Sequence, residues 1–334
     1  MIETASGLSA TAVVLKRPES ITLMNLALQE PRDEDVVVDM EWSAISTGTE
    51  RLLWSGSMPD FPGFGYPLVP GYESVGRITQ VGQASRKLKV GERVFVPGAR
   101  CYGEVRGLFG GAASRVVVPA SRVTPLPQGV AEEGVLLALA ATAYHSITAA
   151  RSRPPDLIVG HGVLGRLMAR LTLILSQTAP VVWEKNPNRR AGHSGYYEVI
   201  DPAKDTRRDY QAIYDGSGDA SLLDTLIAHL APGGEVVLAG FYSSSLAFAY
   251  PPAFMREVRI RIAAEWRERD LAAVKMLVQT GQLSLDGLIT HRHAASDAPL
   301  AYRTAFTDAS CLKMILDWRA THEQLPGERG GVAR

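Results

Sequence analysis

The chain has few cysteines. Only Cys101 and Cys311 occur among its 334 residues, and they lie far apart. Two distant thiols exclude a disulfide framework, and they also exclude a structural zinc site built from three or four clustered cysteines. This scarcity is typical of proteins in a reducing compartment, so we expect a cytoplasmic protein.

An excess of charge and long apolar runs are also missing. Lys plus Arg and Asp plus Glu number 35 each, so the net charge is near zero and no nucleic-acid partner is expected. The longest apolar runs, such as Val135 to Ala141, are too short for a membrane span. The first residues lack the charged start and apolar core of a signal peptide. The composition therefore predicts a soluble α/β enzyme without a membrane span.

A glycine-rich turn lies between two short apolar strands. The strands Leu157–Val159 and Val181–Trp183 enclose Gly160-x-Gly162-x-x-Gly165 and a helical stretch. The first glycine permits a tight turn, the second lets the backbone approach a pyrophosphate, and the third lets the helix pack on the strand. An ordinary βαβ turn is the alternative. The full order of strand, glycines, helix and strand favours dinucleotide binding at the helix N-terminus.

The residue that ends the second strand indicates which dinucleotide binds. Glu184 lies about 20 residues after the glycines, where a carboxylate accepts hydrogen bonds from the adenosine ribose. Its charge would repel the additional phosphate of NADP, so NAD is favoured. Lys185, Arg189 and Arg190 weaken this preference, because cations at this place can accommodate a phosphate.

The helix after the glycines is amphipathic. Arg166 and Arg170 share its flanking face, and we expect both to be solvated. Apolar side chains recur at intervals of three and four and predict a face packed on a sheet, namely Leu164, Leu167, Met168, Leu171, Ile174 and Leu175.

The residues before the glycine-rich turn fall into two regions of different composition. Residues 10–127 are rich in β-branched runs broken by Gly and Pro, which predicts a mostly β domain. Its strand candidates are Val36 to Val38, Gly76 to Val81, Arg93 to Val96 and Ser114 to Val118. Residues 132–150 then favour a helix.

Strands and helices alternate after Glu184, which predicts a doubly wound parallel sheet. The candidates are strands Ala212 to Tyr214 and Glu235 to Ala239, and helices Ala220 to Leu230, Glu268 to Gln279 and Ser310 to Trp318. Ligands of such sheets bind beyond the carboxyl ends of the strands. The predicted cofactor-binding residues are Gly160, Gly162, Val163, Leu164, Gly165, Glu184, Lys185, Asp215, Gly216, Gly240 and Phe241.

Several motifs resemble those of the medium-chain dehydrogenase/reductase superfamily. They are the segment Pro70-Gly71-Tyr72-Glu73-Ser74-Val75-Gly76, Val90-Gly91-Glu92-Arg93-Val94, Thr142-Ala143-Tyr144-His145 and Ala231-Pro232-Gly233-Gly234. The resemblance implies an α/β fold with a β-rich GroES-like substrate domain and a Rossmann domain. We assign residues 1–146 and 284–322 to the first, 147–283 to the second, and 323–334 to a flexible tail.

The zinc ligands of the alcohol dehydrogenases in that superfamily are absent from the matching positions. Ser46, Tyr72 and approximately Ala138 stand there, and a hydroxyl, a phenol and a methyl group are poor ligands or none. We therefore expect no catalytic zinc. Glu73 remains, and we expect it to pair with an arginine.

Without a metal, hydrogen-bonding side chains must handle the substrate proton. By resemblance, Tyr72, Ser46, Thr49 and His145 surround the nicotinamide. Tyr72 or Ser46 is expected to hold the reacting oxygen and His145 to relay the proton, although a packing tyrosine and a structural histidine are the alternatives.

An aromatic, proline-rich loop from Leu52 to Glu73 suggests a large flat substrate. Packing of the loop on its own rings is the alternative. The candidate substrate-binding residues are Trp54, Phe61, Phe64, Tyr66 and Phe109.

Longer strings show a narrower resemblance. ISTGTE, GLFGGAASR, PDLIVGHGVLGRLMARLTL and AFTDASCLKMILDW are similar to segments of the bacteriochlorophyllide dehydrogenases of anoxygenic phototrophs. This family resemblance implies NAD-dependent oxidation of a hydroxyethyl group to acetyl on a tetrapyrrole. The macrocycle's propionate would favour a nearby cation, with Arg51, Arg100 and Arg106 as candidates.

Two other functions stay open at this point. One is a zinc-independent quinone or enoyl reductase of the same superfamily, which would use NADPH, and the other is a dinucleotide-binding protein without turnover. The superfamily resemblance also suggests a homodimer formed through an edge strand, with residues 245–249 or 258–263 as candidates.

Overall fold

The computed structural model describes residues 7–85, 87–149, 152–191 and 195–323. The expected tail, apart from its first residue, lies outside these ranges. Within them, no helix combines the length and the apolar character that a membrane crossing requires.

The N-terminal part is built from short strands because its β-branched runs are interrupted by Gly and Pro. One sheet has the order β2-β1-β4-β7. A second has the order β16-β17-β3-β5-β6-β9, with β8 also paired to β3. Two strands of this second sheet come from the C-terminal part of the chain, namely β16 His291–Ala294 and β17 Met314–Asp317. The elements of this part are β1 Ser9–Arg17, β2 Ser20–Ala27, β3 Asp35–Ile45, α1 Thr49–Ser55, β4 Leu68–Val69, β5 Ser74–Val81, β6 Arg93–Val96, β7 Arg106–Gly107, β8 Arg115–Pro119 and β9 Thr124–Pro125.

The middle part confirms the predicted doubly wound sheet. Its six strands are all parallel and have the order β12-β11-β10-β13-β14-β15, so the order reverses between β10 and β13. The elements are α2 Leu137–Thr148, β10 Leu157–Val159, α3 Val163–Ser176, β11 Val181–Trp183, α4 Pro187–Arg190, β12 Glu198–Ile200, β13 Tyr210–Asp215, α5 Leu223–His229, β14 Leu230–Leu238, α6 Tyr250–Met255, β15 Arg259–Ile262 and α7 Glu268–Gln279.

The C-terminal part returns to the N-terminal sheet. Strand β17 pairs with β3 in antiparallel fashion and with β16 in parallel fashion. The predicted helix Ser310 to Trp318 is therefore wrong, because burial between two strands overrides the helix preference of Leu, Lys and Met. The elements are β16 His291–Ala294, α8 Ala298–Thr307, β17 Met314–Asp317 and α9 Arg319–Glu323.

Helix α3 buries most of its predicted apolar stripe, although Leu175 is 41% exposed, and its arginines are not solvated. Arg166 is only 3% exposed and donates to the carbonyl oxygens of His161 and Ala191. Arg170 donates to the carbonyl oxygen of Ser284. Both guanidinium groups satisfy loop carbonyls beside the helix, which spacing along the helix alone does not show.

Candidate active site

A cleft of about 1210 Å³ separates the parallel sheet from the N-terminal strands. Its floor contains the residues that follow β10 and β13, where the strand order reverses. Ligands of doubly wound sheets bind at this point.

The glycine turn after β10 has the geometry that a pyrophosphate requires. Gly160 adopts a φ of 93°, which favours glycine. A Cβ on Gly165 would overlap the carbonyl oxygen of Gly160, so the close approach of α3 to β10 depends on that glycine. A Cβ on Gly162 would meet no heavy atom within 4 Å, which leaves open space above the N-terminus of α3.

Glu184 lies at the end of β11 and lines the same cleft. Its two carboxylate oxygens accept from the backbone N–H groups of His161, at 3.1 Å, and Asn186, at 2.8 Å. Arg190 is bound to Asp201 at 2.8 Å, so its charge is already neutralised. The carboxylate is therefore held rigidly beside the glycine turn, with lone pairs left for a ribose.

The structure brings most of the other predicted cofactor residues to the cleft. The lining includes Val163, Leu164, Lys185, Gly216, Gly240 and Phe241. Asp215 is the exception, because its carboxylate is buried and accepts from Ser217 and from the Tyr242 hydroxyl. Burial raises the pKa of Asp215, and the residue shapes the loop after β13 without facing the cleft.

Two hydroxyl groups face the cleft from the N-terminal side. Ser46 Oγ and Tyr72 Oη lie 2.9 Å apart, and both residues line the cleft together with Thr49. Burial, and then the charge of Glu73, raise the pKa of Tyr72 far above its ordinary value. The phenol is therefore protonated at neutral pH and serves as a hydrogen-bonding group, not as an anionic base.

A carboxylate lies behind this pair. Glu50 Oε1 accepts from the backbone N–H of Ser46 at 3.1 Å, and Oε2 accepts from the Tyr302 hydroxyl at 2.6 Å. Burial raises the pKa of Glu50 to about 7. This group changes charge across the neutral range, whereas the phenol in front of it does not.

Glu73 forms a buried ion pair, but its partner is a lysine and not the expected arginine. Lys313 Nζ lies 2.5 Å from Glu73 Oε2, and neither residue is more than 1% exposed. The same ammonium donates to the carbonyl oxygen of Ile45 at 3.4 Å. Lys313, the residue that precedes β17, thus places a cation in the lining of the cleft.

The positions of the superfamily's zinc ligands do not suit a metal here. Ser46 and Tyr72 bond to each other, Ala138 is a buried methyl group, and the carboxylate of Glu73 is neutralised by Lys313. No group of three or more His, Cys, Asp or Glu in the described ranges could hold a metal ion.

His145 does not join the hydroxyl groups. It lies outside the lining of the cleft, and its Nδ1 is 2.8 Å from Asp270 Oδ2 on α7. The T-A-Y-H segment is helical, as expected, but α2 directs the imidazole toward α7. This contact supports the structural alternative.

Only some of the predicted aromatic side chains reach the cleft. Phe61 and Phe109 line it, and the Phe109 ring centroid is 5.3 Å from that of Tyr72. Phe61 in turn lies 6.3 Å from Phe109 and 6.2 Å from Phe241. These four rings form a continuous surface, which we call the aromatic wall.

The other three aromatic residues of the loop pack elsewhere. Trp54 contacts Phe306 at 5.5 Å between centroids, and Phe64 contacts Tyr66 at 5.4 Å. None of Trp54, Phe64 and Tyr66 lines the cleft. For Phe64 and Tyr66, the alternative of a loop packed on its own rings describes the structure, whereas Trp54 packs on Phe306 of α8.

Sequence reasoning missed several residues of the site. They are Lys313 and Arg122, which line the cleft, and Glu50, which lies behind Ser46, although Lys313 interrupts the otherwise apolar run Cys311 to Leu316. A lone lysine among apolar residues of a buried strand was the one available signal.

The chain is similar to several known proteins. Residues 32–128 match the family model described as the alcohol dehydrogenase GroES-like domain. The chain is 55% identical to the 2-desacetyl-2-hydroxyethyl bacteriochlorophyllide A dehydrogenase of Rhodobacter capsulatus, over 92% of this chain and 98% of that protein. It is 53% identical to the Cereibacter sphaeroides protein of the same name, over 93% and 99%.

Solved structures show the same fold at low identity. An alcohol dehydrogenase of Escherichia coli, solved in complex with NADH, superposes with a TM-score of 0.80 at 21% identity, over 93% of this chain and all of that one. The 2R,3R-butanediol dehydrogenase of Bacillus subtilis gives a TM-score of 0.78 at 20% identity, over 92% and 99%.

Proposed function

Because the chain belongs to the family of the 2-desacetyl-2-hydroxyethyl bacteriochlorophyllide A dehydrogenases, we propose that its cleft oxidises the hydroxyethyl group of a bacteriochlorophyllide to acetyl. The protein is thus an oxidoreductase of bacteriochlorophyll biosynthesis that acts on an alcohol. The observation that carries the proposal is the part-buried Ser46–Tyr72 hydroxyl pair beside the aromatic wall, in one cleft with the glycine turn.

The chain's hydroxyl groups have a defined task in this reaction. When bound, the nicotinamide ring accepts a hydride from the hydroxyethyl carbon. The hydroxyl proton must move to a hydrogen-bonding group of the protein. Tyr72 and Ser46 hold the substrate oxygen and relay its proton to water in the open cleft, which takes it up, since each protonated hydroxyl group can accept one proton while it donates another.

We further propose that the reaction needs no catalytic zinc. Ser46 and Tyr72 stand at ligand positions of the zinc enzymes, and Glu73 is neutralised by Lys313. The fixed hydroxyl groups would then orient the alcohol in place of a Lewis acid.

The cofactor is proposed to be NAD. The E. coli neighbour was solved with NADH, and a putative zinc-binding dehydrogenase of Sinorhizobium meliloti was solved with NADP, so the fold accommodates either. Glu184 favours NAD here, because its carboxylate lies where the additional phosphate of NADP would sit. Arg189 donates to the carbonyl oxygen of Ala309 at 2.7 Å, and this bond holds it away from a phosphate.

Replacing Glu184 by Gln is expected to lower the preference for NAD over NADP by roughly 10- to 100-fold, because it removes like-charge repulsion. The measurement is the ratio of kcat/KM for the two cofactors. Asp219→Asn, which removes another carboxylate that lines the cleft, serves as the control and should leave the ratio near that of the wild type. A wild-type enzyme that uses both cofactors equally would contradict the role of Glu184.

The function itself is tested by incubating the protein with NAD and a hydroxyethyl bacteriochlorophyllide. We expect NADH to appear together with the shift in long-wavelength absorption that accompanies formation of the acetyl group. Dinucleotide binding without either signal would favour a non-catalytic binding protein. Oxidation of NADPH by a quinone, without alcohol oxidation, would favour the reductase.

Location and assembly are also proposals. Cys101 and Cys311 are both free and buried, which fits a reducing cytoplasm. Of the two candidate edge segments, only β15 is a strand, and it ends the parallel sheet. A homodimer would therefore pair through β15.

A further inference from the structure

Arg122 lies at the rim of the cleft and has no assigned role. It ends the short 3-10 turn Ala120–Arg122 that follows β8, and it lines the cleft together with Ser121, Val123 and Thr124. The turn belongs to the N-terminal part of the chain, which also supplies Ser46 and Tyr72 to the cleft.

The guanidinium has no protein partner. Within the described ranges it makes no hydrogen bond or salt bridge, and its one charged neighbour is a second cation, Arg100. Partial desolvation and the charge of Arg100 both lower the pKa of Arg122, and no carboxylate opposes them. Arg122 is therefore a cation at the cleft that no described residue neutralises, and an anionic ligand would supply the missing partner.

The other cations that line the cleft are engaged or lie elsewhere. Arg51, a candidate from the sequence, donates to the carbonyl oxygen of Phe306. Lys313 is paired with Glu73, and Arg189 is bonded to a carbonyl oxygen. Lys185 follows Glu184, beside the residues of the glycine turn, so among the described residues that line the cleft Arg122 is the cation that has neither a bonded partner nor a place next to that turn.

Arg122 lines the same cleft as the aromatic wall and the hydroxyl pair. The segment that contains Arg100 is bonded to one member of that wall, because the backbone N–H of Ala99, the residue before Arg100, donates to the carbonyl oxygen of Phe109 at 2.9 Å. Phe109 in turn contacts the Tyr72 ring. One cleft thus combines a hydroxyl pair, an apolar ring surface and a cation, which suits a flat ligand that carries an alcohol at one place and an anion at another.

We propose that Arg122, with Arg100 beside it, binds the free propionate carboxylate of the macrocycle and makes the enzyme selective for the unesterified pigment. This inference rests on the proposed function and deepens it. A guanidinium can bind a carboxylate through two parallel hydrogen bonds, which an ester cannot accept with the same charge.

The test compares two substrates, the hydroxyethyl bacteriochlorophyllide and the same macrocycle with its propionate as the methyl ester. The wild type should prefer the acid. In Arg122→Gln, KM for the acid should rise by about 10- to 100-fold while kcat and KM for the ester change little, because a charge-assisted contact is lost. Arg122→Lys keeps the positive charge but cannot form the two parallel hydrogen bonds of a guanidinium, so its KM for the acid should lie between those of the wild type and Arg122→Gln.

Arg17→Gln provides the matched control, since Arg17 is an exposed arginine that does not line the cleft. It should preserve the preference for the acid, and thermal unfolding of each variant checks that it is folded. An equal preference in wild type and Arg122→Gln, or no preference in the wild type, overturns the inference.

Binding measured without turnover separates this inference from the proposed function. Each macrocycle is titrated against the protein with NADH in place of NAD, so that no hydride acceptor is present, and its fluorescence is followed. Acid-selective binding that is lost in Arg122→Gln would support the inference even if no oxidation occurred, whereas oxidation without acid selectivity would uphold only the function.

Discussion

Replacing Lys313 by Met is expected to lower the free energy of unfolding by about 3–5 kcal/mol, the largest effect on stability that we predict. The substitution leaves Glu73 as a buried carboxylate without its cation. Oε1 of Glu73 already has no hydrogen-bond partner among the described residues, so the ammonium at Oε2 is its main compensation. Urea unfolding at neutral pH measures the loss.

The double variant Lys313→Met with Glu73→Gln tests whether the charge is the cause. It should recover most of the loss, because a neutral amide is far less costly to bury than an unpaired carboxylate. Lys16→Met, at an exposed lysine, controls for loss of a positive charge and should change stability little. If the double variant were no more stable than Lys313→Met, the ion pair would not explain the effect.

Replacing Tyr72 by Phe is expected to reduce kcat by about 100- to 10,000-fold, the largest effect on activity that we predict. The variant keeps the ring that packs on Phe109 but removes the hydroxyl that holds the substrate oxygen with Ser46. The affinity for NAD should stay near that of the wild type, because the glycine turn and Glu184 lie on the other side of the cleft. Steady-state kinetics and a cofactor titration measure both.

Tyr102→Phe is the matched control for this prediction. Tyr102 is also a buried tyrosine, but its hydroxyl donates to the carbonyl oxygen of Gly110 and does not face the cleft. Its removal should leave kcat nearly unchanged. Wild-type turnover in Tyr72→Phe would remove this phenol from the mechanism and would leave Ser46 and Thr49 to orient the alcohol.

Local patterns in the sequence were reliable where short-range geometry determines the structure. The strands Leu157–Val159 and Val181–Trp183 and the helix Glu268–Gln279 have the predicted bounds. Glycine spacing specifies a turn within a few residues, and apolar periodicity specifies a helix face over a few turns. Neither depends on distant parts of the chain.

Predictions failed where distant segments meet. The run before Trp318 has good helix formers, yet it is strand β17 because β3 and β16 supply its hydrogen bonds. Arg166 resembles a surface charge on a helical wheel, yet it is buried against loop carbonyl groups. His145 follows a superfamily motif, yet its imidazole is bonded to Asp270 on α7.

By itself, the sequence determined that the chain has a β-rich part, a doubly wound dinucleotide-binding part, hydroxyl groups at the zinc-ligand positions and a supply of aromatic side chains. These properties follow from residue type and short spacing. Only the tertiary structure decided that Phe61 and Phe109 face the cleft while Trp54, Phe64 and Tyr66 do not, and that Lys313 neutralises Glu73. The physical reason is that burial and ion pairing depend on which remote segments pack together. The spacing of residues along a short stretch of sequence does not specify that packing.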